Sequence, residues 1–507
     1  MRSDRVRQRA VAAVIAVVAV SLVALCGAVS ASGGSGAPGP GRVAARGWHA
    51  PNLSWGACPG ATGVQCATLQ VPLDWSRPSG PEVTLALTRR LATDPTRRVG
   101  TVLFNCGGPG CPSAQAVKDL PDLFTAQLRR RFDIVGFDPR GTGESTPVRC
   151  GLPAFDPSIP VYPDTQTEYA RLVAFNRALA RSCEKLTGAY LMHVGAVDVV
   201  RDMEAIREAL RDGKLNWLGL SYGTMLGSLY AERYPTHIRA MVLDGALDRA
   251  LSEPEMLSEE ARTAENELVR WAAWCERSAQ CPLHGRDVLR IWDRLIARAN
   301  RAPIPAANVP HGVTGAEIQQ ATDSTYLLFK RPNAFSQISW LSLGPAIVKA
   351  LHGDASQFTG PEPPPPDNPA YGGLAIQCLD FPVQATNFAE FSEQISIARI
   401  IAPHLGGATQ TGTILSECSG WPRPATDPRH FLHITGAPPS LIVNATHDPS
   451  TSYTWALSLQ AEMPGSVLLT RDGDGHTSYL SSPCAQAAID RYLINLTLPR
   501  PGAVCHS

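Results

Sequence analysis

Apolar residues along this chain follow two rhythms, and the switch between them divides it. Thr101-Val-Leu-Phe104, Phe132-Asp-Ile-Val-Gly-Phe137, Leu215-Asn-Trp-Leu-Gly-Leu220, Ala240-Met-Val-Leu243, Ser440-Leu-Ile-Val443 and Ser466-Val-Leu-Leu469 are short runs, most of them closed by a turn. Runs so short and so evenly apolar predict parallel strands covered on both faces. Val71-Pro-Leu-Asp-Trp75 and the alternating Val83-Thr-Leu-Ala-Leu-Thr88 predict edge strands. Val199, Met203, Ile206 and Leu210, spaced by four, three and four, predict a helix packed on the sheet just before the Leu215 strand. The strand rhythm stops near residue 250. Leu257, Ala261, Ala264, Leu268, Trp271 and Cys275, then Val288, Ile291 and Leu295, predict long helices. Strands resume after about residue 430, and a last helix is predicted over 483–496. The pattern therefore predicts an α/β fold: a mostly parallel sheet flanked by helices, built from residues 48–249 and 431–507, with residues 250–430 inserted as a helical cap. The proline-dense stretch from Gly360 to Pro369 predicts an extended surface connector inside that cap. No internal repeat is visible.

Composition refines this picture at the N-terminus. Arg2, Arg5, Arg7 and Arg9 precede an apolar run from Ala10 to about Val29 that ends in Val29-Ser30-Ala31. This is the layout of a secretory signal peptide over residues 1–31, followed by a Gly/Ser/Pro/Ala spacer over 32–47. The run is long enough for an uncleaved anchor to be the alternative, whereas Leu25 before Cys26 speaks against a lipidated cysteine. The whole chain of 507 residues has a formal net charge of zero, with 44% hydrophobic and 18% charged residues. Loss of the leader would remove four arginines and one aspartate and leave a charge of minus three. Neither value points to nucleic acid. Of the 13 cysteines one is in the leader. Twelve remain, and an even count in an exported chain predicts disulfides. Nearest-neighbour order gives Cys58 with Cys66, Cys106 with Cys111, Cys150 with Cys183, Cys275 with Cys281, Cys378 with Cys418 and Cys484 with Cys505. No Cys-x-x-Cys pair is present, so no zinc site, no other metal and no cofactor is expected.

Chemistry concentrates around Gly219-Leu-Ser221-Tyr-Gly223. A serine between two glycines at a strand-to-helix junction predicts a sharp turn that lifts the hydroxyl above the N-terminus of the next helix. A serine hydroxyl needs a base and an acid that orients that base, and with this junction the order along the chain is serine, acid, histidine. Asp448, after Leu441-Ile-Val-Asn-Ala-Thr-His447, and His476, within Asp472-Gly-Asp-Gly-His-Thr-Ser478, fill those places. Asp244 is an alternative acid and His447 an alternative base; Asp472 and Asp474 resemble a fragment of a calcium loop. Asn105-Cys-Gly-Gly-Pro-Gly110 follows an early strand, and the amide of Gly108, or of Gly107, is expected to join that of Tyr222 as oxyanion donors. Asp138 or Arg140, in Asp138-Pro-Arg-Gly-Thr-Gly-Glu-Ser145, is expected to brace that loop.

Together, Gly-Gly-Pro-Gly, Phe-Asp-Pro-Arg-Gly-Thr-Gly-Glu-Ser, Gly-Leu-Ser-Tyr-Gly-Thr and the late Asp and His loops resemble the tripeptidyl-aminopeptidase branch of the α/β-hydrolases, relatives of the prolyl aminopeptidases and of actinobacterial type. The likeness runs from about Trp55 to the C-terminus. It implies an α/β-hydrolase fold with a helical cap, and a secreted or envelope-associated serine exopeptidase that releases short peptides, foremost tripeptides, from free N-termini. It also implies the triad roles for Ser221, Asp448 and His476. A monomer acting on peptides is expected, with membrane contact only through the N-terminus. A carboxylesterase using the same triad, and an inactive binding protein, are the competing readings. Recognition of a free amine calls for a carboxylate in the cap; Glu259, Glu260, Glu265, Glu267 and above all Asp380 are the candidates. One departure from the family pattern stands out: Cys106 and Cys111 bracket the glycines, and a bond between them would restrain the oxyanion segment.

Overall fold

The computed structural model describes residues 48–307, 309–359, 371–381, 383–422 and 427–506. The expected leader, the spacer and the proline-dense connector lie outside the described residues. In chain order the strands are β1 (Gly56–Ala57), β2 (Gln65–Pro72), β3 (Glu82–Arg90), β4 (Gly100–Asn105), β5 (Phe132–Phe137), β6 (Leu215–Leu220), β7 (Ile238–Asp244), β8 (Ile304–Ala306), β9 (Val309–Val313), β10 (Leu441–His447), β11 (Val467–Asp474) and β12 (Val504–His506). Ten of them form one sheet in the order β1-β2-β3-β5-β4-β6-β7-β10-β11-β12. The β1 to β3 edge is antiparallel, and everything from β5 to β12 is parallel.

Every residue of β4, β5 and β6 is buried, as their unbroken apolar runs require when helices cover both faces. Register then sets the position of the site. Gly219 of β6 lies opposite Asn105 of β4 and Leu243 of β7, and Val443 of β10 lies opposite Asp244. The carboxyl ends of four strands therefore finish side by side, and the segments that follow them gather in one crevice, where open α/β sheets bind ligands.

Above this edge stand the helices Glu253–Arg277, Val288–Arg301, Gly315–Ala321, Trp340–Leu351, Tyr371–Asp380, Phe388–Ile401 and Gln410–Cys418. The first opens with a reciprocal cap between Ser252 and Glu255. One face of it carries Leu257, Ala261, Ala264, Leu268 and Trp271 into a cluster with Trp292 and Trp340. Two features depart from the sequence pattern. The inserted region is not wholly helical, because β8 and β9 form a small antiparallel pair. Tyr162 and Tyr169, from before the elbow, also join its apolar cluster. Near the N-terminus the second strand is Gln65–Pro72 rather than 71–75, because Asp74 folds back on Ser76 and ends the strand.

Sulfur–sulfur bonds join Cys58 to Cys66, Cys106 to Cys111, Cys150 to Cys183, Cys275 to Cys281, Cys378 to Cys418 and Cys484 to Cys505. Among the described residues no helix is long and apolar enough to cross a membrane.

Candidate active site

Ser221 sits between β6 and the helix Tyr222–Arg233 with φ 54° and ψ −122°, a region that side-chain-bearing residues rarely occupy. Its neighbours make this turn possible. A Cβ on Gly219 would lie 2.4 Å from the Gly223 carbonyl oxygen, and one on Gly223 would lie 2.9 Å from Asn105 Oδ1. The Ser221 amide donates to the Asp244 carbonyl at 2.9 Å, which ties the turn to β7.

The histidine arrives from the far side of the sheet. His476 Nδ1 lies 3.0 Å from both oxygens of Asp448, and Asp448 is fully buried. The same carboxylate accepts from the amides of Ser450 and Thr451, each at 2.9 Å, and from Thr451 Oγ1 at 3.0 Å. Burial alone would raise the Asp448 carboxyl, yet the His476 ring together with the Thr451 and Ser450 amides outweighs it and holds the group below the ordinary range. Burial would likewise depress His476, and Asp448 reverses this so that the imidazole lies above its ordinary value. With Nδ1 committed to Asp448, Nε2 is the nitrogen left for the serine.

The alternative acid and base have other partners. Asp244 accepts from the amides of Ser478 and Tyr479 at 2.7 to 2.9 Å, so it pins the histidine loop rather than the ring. His447 Nδ1 lies 2.8 Å from Asn266 Oδ1 on the first cap helix. Asp474 binds Arg270 and Lys330, and Asp472 lies 3.1 Å from His506 Nδ1, which accounts for both acids of the calcium-like fragment. Gly245 stands beside the ring, where a Cβ would come within 3.0 Å of His476 Cε1. Thus β7 meets both the serine turn and the histidine loop. No hydrogen bond joins Ser221 Oγ to the ring among the described residues; such contacts often tighten only when substrate binds.

On the other side of Ser221 runs the glycine loop. A Cβ on Gly107, whose φ is 93°, would meet the Leu220 carbonyl at 2.7 Å and Ser221 Cβ at 2.8 Å. The Gly107 amide is taken by Asn105 Oδ1 at 3.0 Å. The amides of Gly108 and of Tyr222 have no acceptor among the described residues. For Tyr222 this follows from its place at the start of a helix, where the first amides have no carbonyl before them. Asp138 accepts from the Ala114 amide at 2.8 Å and so holds the exit of the loop. Arg140 does not reach it: this buried guanidinium pairs with Asp202 and donates to the carbonyls of Leu73 and His193.

The acids of the cap divide as follows. Asp380 is buried and accepts from Tyr222 Oη at 2.6 Å and from the Ala196 amide at 2.9 Å; burial pushes its carboxyl up to about 6. These contacts tie it to the residue after the serine. Glu260 accepts from the amides of Gln410 and Thr411, and Glu265 from those of His404 and Leu405. Glu259 accepts from Thr454. Glu267 is buried with no donor on either oxygen, and burial, then Asp474, pushes its carboxyl well up.

Two residues that sequence reasoning missed help to build the site. Thr451 Oγ1 touches the acid and lies 3.3 Å from His476 Nδ1. The buried Arg471 donates to the carbonyls of Asp474 and Gly475 at 2.7 and 2.6 Å and to Ser478 Oγ, wrapping the histidine loop. A threonine three places after the acid, in turn-forming Asp-Pro-Ser-Thr, was a readable signal. Nothing in one dimension marks Arg471.

Two family models match the chain: one described as alpha/beta hydrolase fold over residues 100–333, the other as TAP-like protein over residues 404–505. Serine protease Hip1 of Mycobacterium tuberculosis is 32% identical over 87% of each chain. The chain belongs to the TAP-like α/β-hydrolases. Among other relatives of this hydrolase, a protein named Carboxylesterase B from Mycobacterium tuberculosis is 33% identical over 92% of each chain. A tripeptidyl aminopeptidase from Streptomyces coelicolor is 28% identical over 85% of this chain and 81% of its own. The hydrolase is a serine hydrolase of a family whose members carry both peptidase and esterase names.

Proposed function

We propose that this hydrolase is an exported serine exopeptidase that removes short peptides, foremost tripeptides, from free N-termini. The observation that carries the reading is the His476 ring held by both oxygens of Asp448, on a loop pinned to the same strand end that fixes the Ser221 turn. In the proposed cycle, Nε2 takes the hydroxyl proton as Ser221 Oγ bonds to the scissile carbonyl carbon. The carbonyl π electrons move to oxygen, which accepts from the Gly108 and Tyr222 amides. Collapse breaks the C–N bond, and the imidazolium returns its proton to the departing amine. A water then gives one proton to Nε2 as its oxygen bonds to the acyl carbon, and collapse breaks the acyl C–Oγ bond while the imidazolium returns that proton to Ser221 Oγ. Residues 250–430 would act as a cap over this crevice. Export is supported by the arginine-led apolar leader and by six disulfides, which persist in oxidising surroundings.

Esterase activity is the second reading, favoured by the relative named Carboxylesterase B, since amide and ester cleavage share these parts. The test is kcat/KM for free and N-acetylated peptides beside short 4-nitrophenyl esters. Strong preference for free N-termini is expected; turnover of esters alone would overturn the peptidase reading. Ser221→Ala is expected to lower kcat about a million-fold on either substrate class. A loss under about tenfold would remove Ser221 from the chemistry.

A further inference from the structure

We propose that Lys330 of the cap is a positioning residue for the catalytic base: through Asp474 it seats the backbone that carries His476, so that the base is complete only with the cap in place. The proposal rests on His476 acting as the base, and it holds for amide and ester substrates alike. Two backbone angles show that this seat needs holding. Gly475 has φ 90° and Thr477 has φ 58°, so His476 lies between two residues with positive φ, a conformation unfavourable for a β-branched threonine. Such a backbone persists only where its surroundings over-determine it.

The holders come from two sides. From the core, Arg471 donates to the carbonyls of Asp474 and Gly475, and Asp244 accepts from the amides of Ser478 and Tyr479. Residue 476 itself is reached from the cap. The His476 amide donates to the Leu328 carbonyl at 2.7 Å. Two residues before the ring, the Asp474 side chain is only 3% exposed, and its oxygens accept from Arg270 on the first cap helix and from Lys330 Nζ, the latter at 2.6 Å. Gly475 lets the cap segment come this close, because a Cβ there would lie 2.9 Å from the Leu328 carbonyl oxygen.

Residues 328–330 are in turn fixed to the body of the cap. The Trp340 amide donates to the Phe329 carbonyl at 2.9 Å, and Lys330 Nζ stands 5.2 Å from the centre of the Trp340 ring, itself part of the buried cap cluster. Charge singles out Asp474 as the partner. Glu267 interacts with the same groups, but burial and then Asp474 push its carboxyl well up, so it stays neutral. Burial would raise Asp474 too, yet Arg270 and Lys330 outweigh it and hold that carboxyl below the ordinary range. A buried carboxylate stripped of its cations is left uncompensated, which is costly. Were the cap lifted, His476 would lose the acceptor of its amide and Asp474 both its cations in one movement.

The test is Lys330→Met, which keeps an unbranched chain beside Trp340 and removes the charge, alongside Lys330→Arg, which keeps the charge. The readouts are kcat and KM for 4-nitrophenyl acetate, and the rate and final extent of Ser221 labelling by a fluorophosphonate. In Lys330→Met, kcat and the labelling rate are expected to fall about tenfold to a hundredfold, the cost of a base about 1 Å out of place. KM is expected to stay close to the parent, and labelling to go to completion, which reports that every molecule is folded. Lys330→Arg is expected to restore both rates. A methionine variant that labels as fast as the parent overturns the proposal, as does one that labels incompletely but at the parent's rate, the result of a merely structural latch. An arginine variant as slow as the methionine variant overturns it too. His476→Ala separates this role from the reading beneath it. Labelling at the wild-type rate in that variant sinks the base assignment, whereas loss of labelling there beside fast labelling in Lys330→Met sinks the positioning role alone.

Discussion

At the scale of single residues, the decisive balance lies in the Asp448–His476 pair, where burial and charge pull in opposite directions. Burial favours the neutral ring; the carboxylate 3.0 Å away overrides it and raises the imidazole above its usual value of 6.5. General-base attack needs the neutral ring, so kcat/KM should climb with pH through a point above 6.5. Asp448→Asn removes the charge that raises the ring. The rising limb should then move to lower pH while kcat drops about ten-thousand-fold, as expected when the ring loses its orienting acid. A pH–rate profile of both proteins checks this, and an unmoved limb would mean that another group sets it. Ser221 has no such freedom, since its positive φ stores about 1 to 3 kcal/mol of strain. The surrounding glycines are what allow that strain to persist.

At the scale of elements, the glycine loop and the elbow helix interlock through backbone contacts. Gly107→Ala would place a Cβ 2.7 Å from the Leu220 carbonyl oxygen, so the loop must retreat and carry the Gly108 amide with it. The expected loss is about a hundredfold in kcat, that of one oxyanion donor. A matching fall of about 1 to 3 kcal/mol in stability is expected from overpacking. Steady-state kinetics and denaturant melts measure the two. The bond between Cys106 and Cys111 restrains the same loop from outside. Replacing both cysteines by serine should lower kcat several-fold while leaving KM close to the parent; identical kinetics would show that the clip has no role in turnover.

Much of this arrangement was legible because it is written locally. The strands β4 to β7 and β10 to β11 announce themselves as apolar runs, and the serine turn by its paired glycines. What stayed hidden depends on distant contacts. Arg471 reads as an ordinary polar residue at a strand end until the loop it supports folds back over it. Glu253 reads as a helix-start acid, well placed for the dipole, until the amide of Gln384, 131 residues away, reaches its carboxylate. Tyr162 and Tyr169 belong to the cap cluster although their segment precedes the elbow, which no periodicity within 250–430 reveals.

At the scale of the whole molecule, buried acids set the pH response of the fold. Burial pushes the carboxyls of Asp244 and Asp380 up to about 6, and that of Glu260 up to about 7. The folded state therefore binds more protons than the unfolded chain between about pH 4 and pH 7, and stability falls as pH rises through that window. His476 adds to the decline above 6.5, since its folded value is raised as well. Asp448 and Asp474 are held low and contribute stability that is lost as pH falls through their depressed values, below the ordinary carboxyl range. Tm should thus peak at about pH 4 and decline towards pH 8, the reverse of the rate profile; calorimetry across that range is the check.

The cap helix Tyr371–Asp380 lies on the loop by bare backbone. A Cβ on Gly372 would come within 2.0 Å of the Gly141 carbonyl oxygen, and Gly373 is packed against Gly110 and Pro109. At its far end Asp380 holds the ring of Tyr222. One rod thus leans on both walls of the proposed oxyanion cradle, the glycine loop and Tyr222. Were it displaced by a long chain, the two walls would slacken together, and a guest that holds the rod away should be bound without being cut.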